Sequence, residues 1–178
     1  MLKRKVITLF IPLFLVAGLG CQPLKELDSN EQKVFDLFNS ARTNPAQFAE
    51  DHLKTAYESG YDNGSYNDLL NSTPCSKLVL NDQLMEAAEA HSKDMASCDT
   101  LQHESCDGTT VLQRINSYYD GIAFDELIAF GFTGKEAAVA WIIDVNNSTD
   151  NRDAIMNCSN TEIGISLHNE YWTIVIGR

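Results

Sequence analysis

The sequence predicts an α+β fold, an α-β-α sandwich in which helices cover a small antiparallel sheet. Three observations carry this prediction over the 178 residues of the chain. Apolar residues between Leu84 and Met95 recur at helical spacing. Apolar residues alternate on both sides of a turn between Ile163 and Ile176, which is typical of a hairpin. The remaining elements give the order helix, strand, helix and hairpin, and such elements bury their apolar faces by packing in layers.

The first twenty residues have the features of an export signal. Three basic residues at positions 3–5 precede an apolar run at 6–19 that is too short for a comfortable membrane span. Cys21 follows Gly20, which is typical of a bacterial lipoprotein whose cysteine is lipidated after cleavage. We therefore expect a signal peptide at 1–20, a tether at 21–29 and one domain at 30–178, anchored in the bacterial cell envelope outside the cytoplasm. The alternative is ordinary cleavage, a free Cys21 and secretion.

The charge of the chain excludes some partners. The formal net charge is −12, and removal of the basic leader makes the mature chain more acidic still. Such a surface repels nucleic acids, and no basic patch is present to bind them. The composition, 44% hydrophobic and 21% charged, is that of an ordinary globular domain.

In the first half of the domain, helices and loops alternate. Ser29 or Asn30 is expected to be the N-cap of the first helix, and Pro45 opens a second, short helix. The segment 58–73 is rich in Gly, Asn, Ser, Tyr and Asp, so we interpret it as a long surface loop. A short extended piece at 77–80 then leads to the helix containing Leu84, which Asn81 or Asp82 caps.

The second half contains the strands of the predicted sheet. A helix begins at Thr109 or Thr110. The elements that follow are a strand at 125–131, a helix at 135–143, a short helix at 151–156, and a hairpin with strands 163–167 and 172–176 around a turn at 168–170.

Four cysteines besides Cys21 suggest two disulfides in an exported domain, with three possible pairings. We favour Cys98–Cys106, because it closes a short loop that contains His103. Cys75–Cys158 would then tie the two halves of the domain together. The alternative is four buried free thiols that pack as small apolar side chains.

The segment from Ala88 to Ile115 carries a family resemblance. A helix with the pattern AxxHSxDM is followed by a loop histidine, His103, and then by DGxxxxxRI. This order resembles the bacterial branch of the CAP superfamily, which includes cysteine-rich secretory proteins, antigen 5 and pathogenesis-related 1 proteins. The likeness runs from about Asn30 to the C-terminus. It implies an α-β-α sandwich with a surface cleft lined by two histidines and two acidic residues.

The resemblance places four residues of this chain in that cleft. They are His103 at the first histidine, Glu126 and Asp144 at the acidic positions, and Asn151 at the second histidine. The family sequence Gly-Glu-Asn-Ile-Ala also differs here, with Asp125 for Gly and Leu127 for Asn. The expected ligand-binding cleft therefore has an amide where relatives have an imidazole.

This substitution bears on the expected chemistry. His103 and Glu126 are candidate ligands for a divalent cation, zinc or the harder calcium and magnesium, and candidate acid–base residues. Asn151 is a poor zinc ligand and takes up no proton. His103 can instead bond Glu126 purely to anchor its loop. The loss of the second histidine thus favours a non-catalytic binding module, and the resemblance implies a lipid, a sterol, a divalent cation or a cell-surface protein as what it binds. A metal-assisted or histidine-based hydrolase and a structural envelope protein are the alternatives, so the enzyme question stays open.

The remaining chemistry-bearing residues have structural interpretations. His91 lies on an apolar helix face, where we expect burial with one partner, and His52 lies on a surface helix. Trp141 and Trp172 are expected in the core. The chain has no Gly-x-Ser-x-Gly elbow and no His-Glu-x-x-His helix.

Overall fold

A computed structural model describes residues 25–121, 124–144 and 150–178. The expected leader, Cys21 and the start of the tether lie outside these ranges. The helices are α1 (Ser29–Thr43), α2 (Pro45–Phe48), α3 (Lys54–Glu58), α4 (Ser65–Leu70), α5 (Asp82–Cys98), α6 (Val111–Asn116), α7 (Gly134–Ile143) and α8 (Asp150–Met156). A π-helical turn, Ala49–Leu53, joins α2 to α3. Within these ranges, no helix combines the length and apolar character that crossing a membrane requires.

Among the described residues, four strands form one sheet in the order β1-β3-β4-β2. They are β1 (Val79–Leu80), β2 (Phe124–Phe130), β3 (Glu162–His168) and β4 (Tyr171–Gly177). The pairs β3–β4 and β2–β4 are antiparallel, but β1 runs parallel to β3, so the sheet is mixed rather than purely antiparallel. A two-residue strand is too short to carry a pattern that sets its direction. The α+β class itself is confirmed.

Helices cover both faces of this sheet. On the face of Val175, α5 and α6 bury Leu84, Ala88 and Ile115. Helix α5 approaches β3 so closely that a Cβ at Gly164 would lie 2.1 Å from the Leu84 backbone. On the opposite face, α1 and α7 pack over residues such as Ile174 and Ile176. Because β4 is central and its side chains alternate between faces, it contributes to both apolar layers.

Two local predictions need correction. The segment 58–73 is not a continuous loop, because it contains α4, whose Leu69 is only 1% exposed. Asp62 stabilises the start of that helix by accepting from Ser65 Oγ and from Tyr66 N at 3.2 Å. In α1, the N-cap is Asp28 rather than Ser29 or Asn30, and its carboxylate accepts from the first-turn amides in a capping box with Glu31.

Both preferred disulfides are present, Cys75–Cys158 and Cys98–Cys106. The hairpin turn consists of Asn169 and Glu170, which both have positive φ, 47° and 70°. Two consecutive left-handed residues match the twist of a tight antiparallel pair. The turn therefore fixes the β3–β4 register that presents Thr173 and Trp172 opposite β2.

Candidate ligand-binding cleft

His103 and Glu126 meet directly. The His103 Nδ1 atom lies 3.0 Å from Glu126 Oε1. Because a carboxylate only accepts hydrogen bonds, Nδ1 carries the proton and donates it. The imidazole is 55% exposed, whereas the Glu126 side chain is 2% exposed. The pair therefore ties the loop between Cys98 and Cys106 to strand β2.

Arg114 on α6 completes this polar cluster. Its Nη2 donates to Glu126 Oε2 at 2.5 Å, and its Nη1 donates to His103 O and Ser105 Oγ, each at 3.0 Å. Both carboxylate oxygens of the buried Glu126 are thus occupied. A buried charge is tolerated when it is paired and hydrogen-bonded in this way. The cluster is a closed structural unit that holds the loop in place.

Asp144 and Asn151 form a second pair. Asp144 ends α7 in the left-handed conformation, with φ 58°, and is 2% exposed. Its Oδ1 accepts from Asn151 Nδ2 at 2.8 Å, and its Oδ2 accepts from Asn151 N at 3.1 Å. The amide at the second histidine position therefore bonds the neighbouring acid.

The second pair lies in the wall of a cavity. A cavity of about 260 Å³ has Asp144 and Asn151 in its wall together with Leu101 and Ile128. Leu101 is two residues from His103 in the same loop. Ile128 is two residues from Glu126 on the same strand, so these side chains share a face. Asp144 and Asn151 thus line this cavity, whereas His103 and Glu126 form a separate hydrogen-bonded pair whose near neighbours along the chain, Leu101 and Ile128, line it.

A larger cavity of about 620 Å³ adjoins this one, and the walls of both contain Phe132 and Ala140. Its lining also includes Val139 and Ile143 of α7. His52 lies in this wall rather than fully on the surface, and its buried Nδ1 has no hydrogen-bond partner. Burial, together with the charge of Lys135, lowers the pKa of that imidazole.

The side chains present do not favour a metal ion. A cation on Glu126 would have to displace Arg114 or His103, and Asn151 offers only a weak amide oxygen. Within 25–121, 124–144 and 150–178, no three His, Cys, Asp or Glu side chains are grouped to share an ion.

His91 has the expected structural role. It is completely buried on α5, and its Nε2 donates to Gln102 O at 3.0 Å. Its Nδ1 has no hydrogen-bond partner and lies 4.0 Å from Asp94 Oδ2. Burial lowers its pKa, and this effect outweighs the nearby carboxylates of Glu126 and Asp94, while the charge of Arg114 lowers it further. His91 is thus a neutral imidazole beneath the His103 loop.

We predict that His91 makes the fold sensitive to acid. Its pKa in the folded chain lies below the unfolded value of about 6.5, so below that pH the unfolded chain binds the proton more readily. Stability is therefore full above this value and falls as the pH drops towards the folded pKa, by up to about 1.4 kcal/mol per pH unit. Urea unfolding at about pH 7.5 and about pH 5.5 measures this loss. His91→Gln should lose less stability between the two pH values, and an equal loss in both proteins would contradict the assignment.

The comparison with protein families decides the classification. The model of the cysteine-rich secretory protein (CAP) family matches residues 35–174. The chain belongs to this family. A comparison with curated protein sequences gave no match.

Solved CAP structures are similar to this one in fold. An extracellular protein with an SCP domain from Bacillus anthracis superposes with a TM-score of 0.59 at 21% identity, over 84% of this chain and 40% of that one. An outer surface protein from Borrelia burgdorferi has a TM-score of 0.50 at 22% identity, over 72% of this chain and 92% of its own. A cysteine-rich secretory protein from Staphylococcus aureus has a TM-score of 0.51 at 12% identity, over 85% and 40%. This chain therefore spans less than half the length of the first and third proteins.

Sequence reasoning missed several residues of this CAP domain's cleft. The sequence did not predict a role for Arg114 at the site, although its guanidinium donates hydrogen bonds to the Glu126 carboxylate and to His103 O. Phe130 and Phe132 line the smaller cavity and are 44% and 43% exposed. Two aromatic residues flanking Gly131 directly after a strand are a signal that could have been noticed, because exposed aromatic residues often mark binding surfaces.

Proposed function

We propose that this CAP domain is a non-catalytic binding module that acts outside the cytoplasm and holds the apolar part of a lipid-like ligand. One observation carries the proposal. The two adjoining cavities form an apolar groove along α7, with Phe132 and Ala140 in both walls. Ligand sites are typically concave, mostly apolar and supplied with a few polar groups. A sterol or a surface-protein segment is the competing occupant.

The exposed apolar residues support this groove. Large apolar side chains that remain exposed include Tyr61 (82%), Leu101 (48%), Phe130 and Phe132. All four line one of the two cavities. Scattered exposed apolar residues need no explanation, but a contiguous group around a cavity is typical of a binding site.

The polar cluster favours binding over hydrolysis. The exposed His103, with Nδ1 held by Glu126, has the orientation that a general base needs. Within the described ranges, however, the cysteines are paired, and Ser105 Oγ already accepts from Arg114. A hydrolase would have to use a water molecule activated by His103 alone, and Asn151 cannot assist it as a second base.

The location outside the cytoplasm rests on two arguments. The N-terminal pattern predicts export and lipid attachment at Cys21. Two similar structures are described as an extracellular protein and an outer surface protein. A membrane-anchored domain with an apolar groove would work close to its source of lipid.

The test is binding of N-phenyl-1-naphthylamine, an uncharged dye that fluoresces in apolar cavities, to the purified protein. We expect saturable binding, and at least about a tenfold weaker affinity in Ala140→Leu, because the added methylenes fill the junction of the cavities. The matched control is Ala96→Leu, which makes the same change on half-buried α5 surface away from the groove. No saturable binding by the wild type, or equal affinity in Ala140→Leu, would overturn the proposal.

A further inference from the structure

We infer that the ligand carries a cationic head group, an organic ammonium, which Asp144 binds in the smaller cavity. This inference rests on the proposed function, because it names the polar end of the ligand whose apolar part occupies the groove. It depends on the charge and burial of Asp144, on the aromatic wall beside it, and on the position of the carboxylate at the end of α7.

Asp144 is a buried carboxylate without a cationic partner in the described part of the chain. It is 2% exposed, and among the described residues it accepts two hydrogen bonds, both from amide groups of Asn151. The nearby Arg152 donates instead to Ile142 O at 3.1 Å and to Asp68 Oδ2 at 2.9 Å. Buried carboxylates are normally paired with a cation or a metal. A bound ammonium would supply the missing charge.

The rest of the cavity wall suits an ammonium. Its aromatic members are Phe130, Phe132 and Trp141. Aromatic faces carry negative potential and attract ammonium groups, most strongly where water is excluded. The cavity volume of about 260 Å³ accommodates a small head group but not a large one. An anionic head group would instead be repelled by Asp144.

The helix end adds to this preference. Asp144 is the C-cap of the ten-residue helix α7, so the cavity lies at the negative end of that helix dipole. A cation is favoured there for the same reason that Lys and Arg are favoured in the last turn of a helix.

Lys135, in the wall of the larger cavity, is the feature that argues for an anionic head group instead. Its side chain is exposed, so its ammonium is hydrated. Exposed charges contribute little to binding because water screens them, whereas a buried charge is screened much less. Asp144 is therefore expected to determine the head group, and Lys135 to lie beside the tail.

The test compares three single-chain amphiphiles that differ only in their head groups, each below its micelle concentration. Dodecyltrimethylammonium, dodecanol and dodecanoate are titrated against the dye bound to the purified protein. We expect the ammonium compound to displace the dye at a concentration about tenfold lower than dodecanol does, with dodecanoate weakest. Asp144→Asn should abolish this preference, so that the ammonium compound and dodecanol displace the dye at similar concentrations.

Two further variants make the result specific. Asp82→Asn removes the same charge from the exposed first turn of α5 and should keep the preference. Phe130→Leu should reduce the preference for the ammonium compound over dodecanol about threefold. If dodecanol displaces the dye but the ammonium has no advantage, or keeps its advantage in Asp144→Asn, the inference is overturned and the proposed function stands. A preference for dodecanoate would also overturn the inference, because it would indicate that Lys135 rather than Asp144 determines the head group. If the dye itself does not bind, the proposed function fails instead.

Discussion

Replacing Arg42 with Met is expected to lower the free energy of unfolding by about 4 kcal/mol or more. The guanidinium of Arg42 is completely buried and donates to the backbone oxygens of Ser76, Ile155, Asn157 and Asn160. Methionine fills a similar volume but donates nothing, so four carbonyl groups would lose a charged donor. Each buried acceptor left unpaired costs about 1–3 kcal/mol.

The partners of Arg42 explain why the effect should be global. Ser76 precedes β1, and the other three carbonyls lie in the last turn of α8 and in the segment between α8 and β3. One side chain thus joins segments more than a hundred residues apart, with separations of 113 to 118. Burial lowers the pKa of this guanidinium, but its ordinary value is so high that it stays charged at neutral pH. The stabilisation is therefore expected to be insensitive to pH in the neutral range.

Urea unfolding followed by far-ultraviolet circular dichroism measures this loss. Arg42→Lys should fall between the wild type and Arg42→Met, because an ammonium keeps the charge but lacks the planar fork. The matched control is Lys33→Met, which removes an exposed positive charge from the same helix and should change little. A loss below about 1 kcal/mol in Arg42→Met would show that water replaces the guanidinium at these carbonyls.

Removing the disulfide Cys75–Cys158 is expected to cost about 4.5 kcal/mol, more than any other crosslink change in this domain. Its cysteines are 83 residues apart, so the bridge strongly restricts the unfolded chain. It also lies beside the Arg42 network, since Cys75 N donates to Arg42 O at 2.7 Å. The double variant Cys75→Ala/Cys158→Ala should therefore lose stability through its unfolded state.

The second disulfide provides the internal comparison. Cys98 and Cys106 are only 8 residues apart, and the same chain-entropy relation gives about 2.5 kcal/mol for their removal. Cys98→Ala/Cys106→Ala should additionally weaken dye binding, because it frees the loop that carries Leu101. Unfolding of both double variants, with dye titration at a temperature where both are folded, separates these effects. A larger loss from the short loop would contradict the entropic account.

The cleft shows which features can be predicted from local sequence patterns and which depend on contacts between residues distant in the chain. Helix α5 and the β3–β4 hairpin were predictable because their apolar periodicity is local and both elements bury one face. Cys98–Cys106 was the favoured disulfide because this pair closes a short loop, which left Cys75 and Cys158 for the other. The resemblance to CAP proteins predicted four cleft residues, but not that Asp144 bonds Asn151 while Glu126 bonds Arg114 and His103.

What the sequence by itself determined is therefore the α+β class, most of the helices and strands, and the residue types available at the cleft. Tertiary structure alone decided that α4 packs in the segment 58–73, that β1 runs parallel to β3, and that Phe132 and Ala140 join two cavities. The physical reason is the range of the interactions. Periodicity and capping act within a few residues, whereas burial of a charge such as Asp144 depends on which distant side chains surround it.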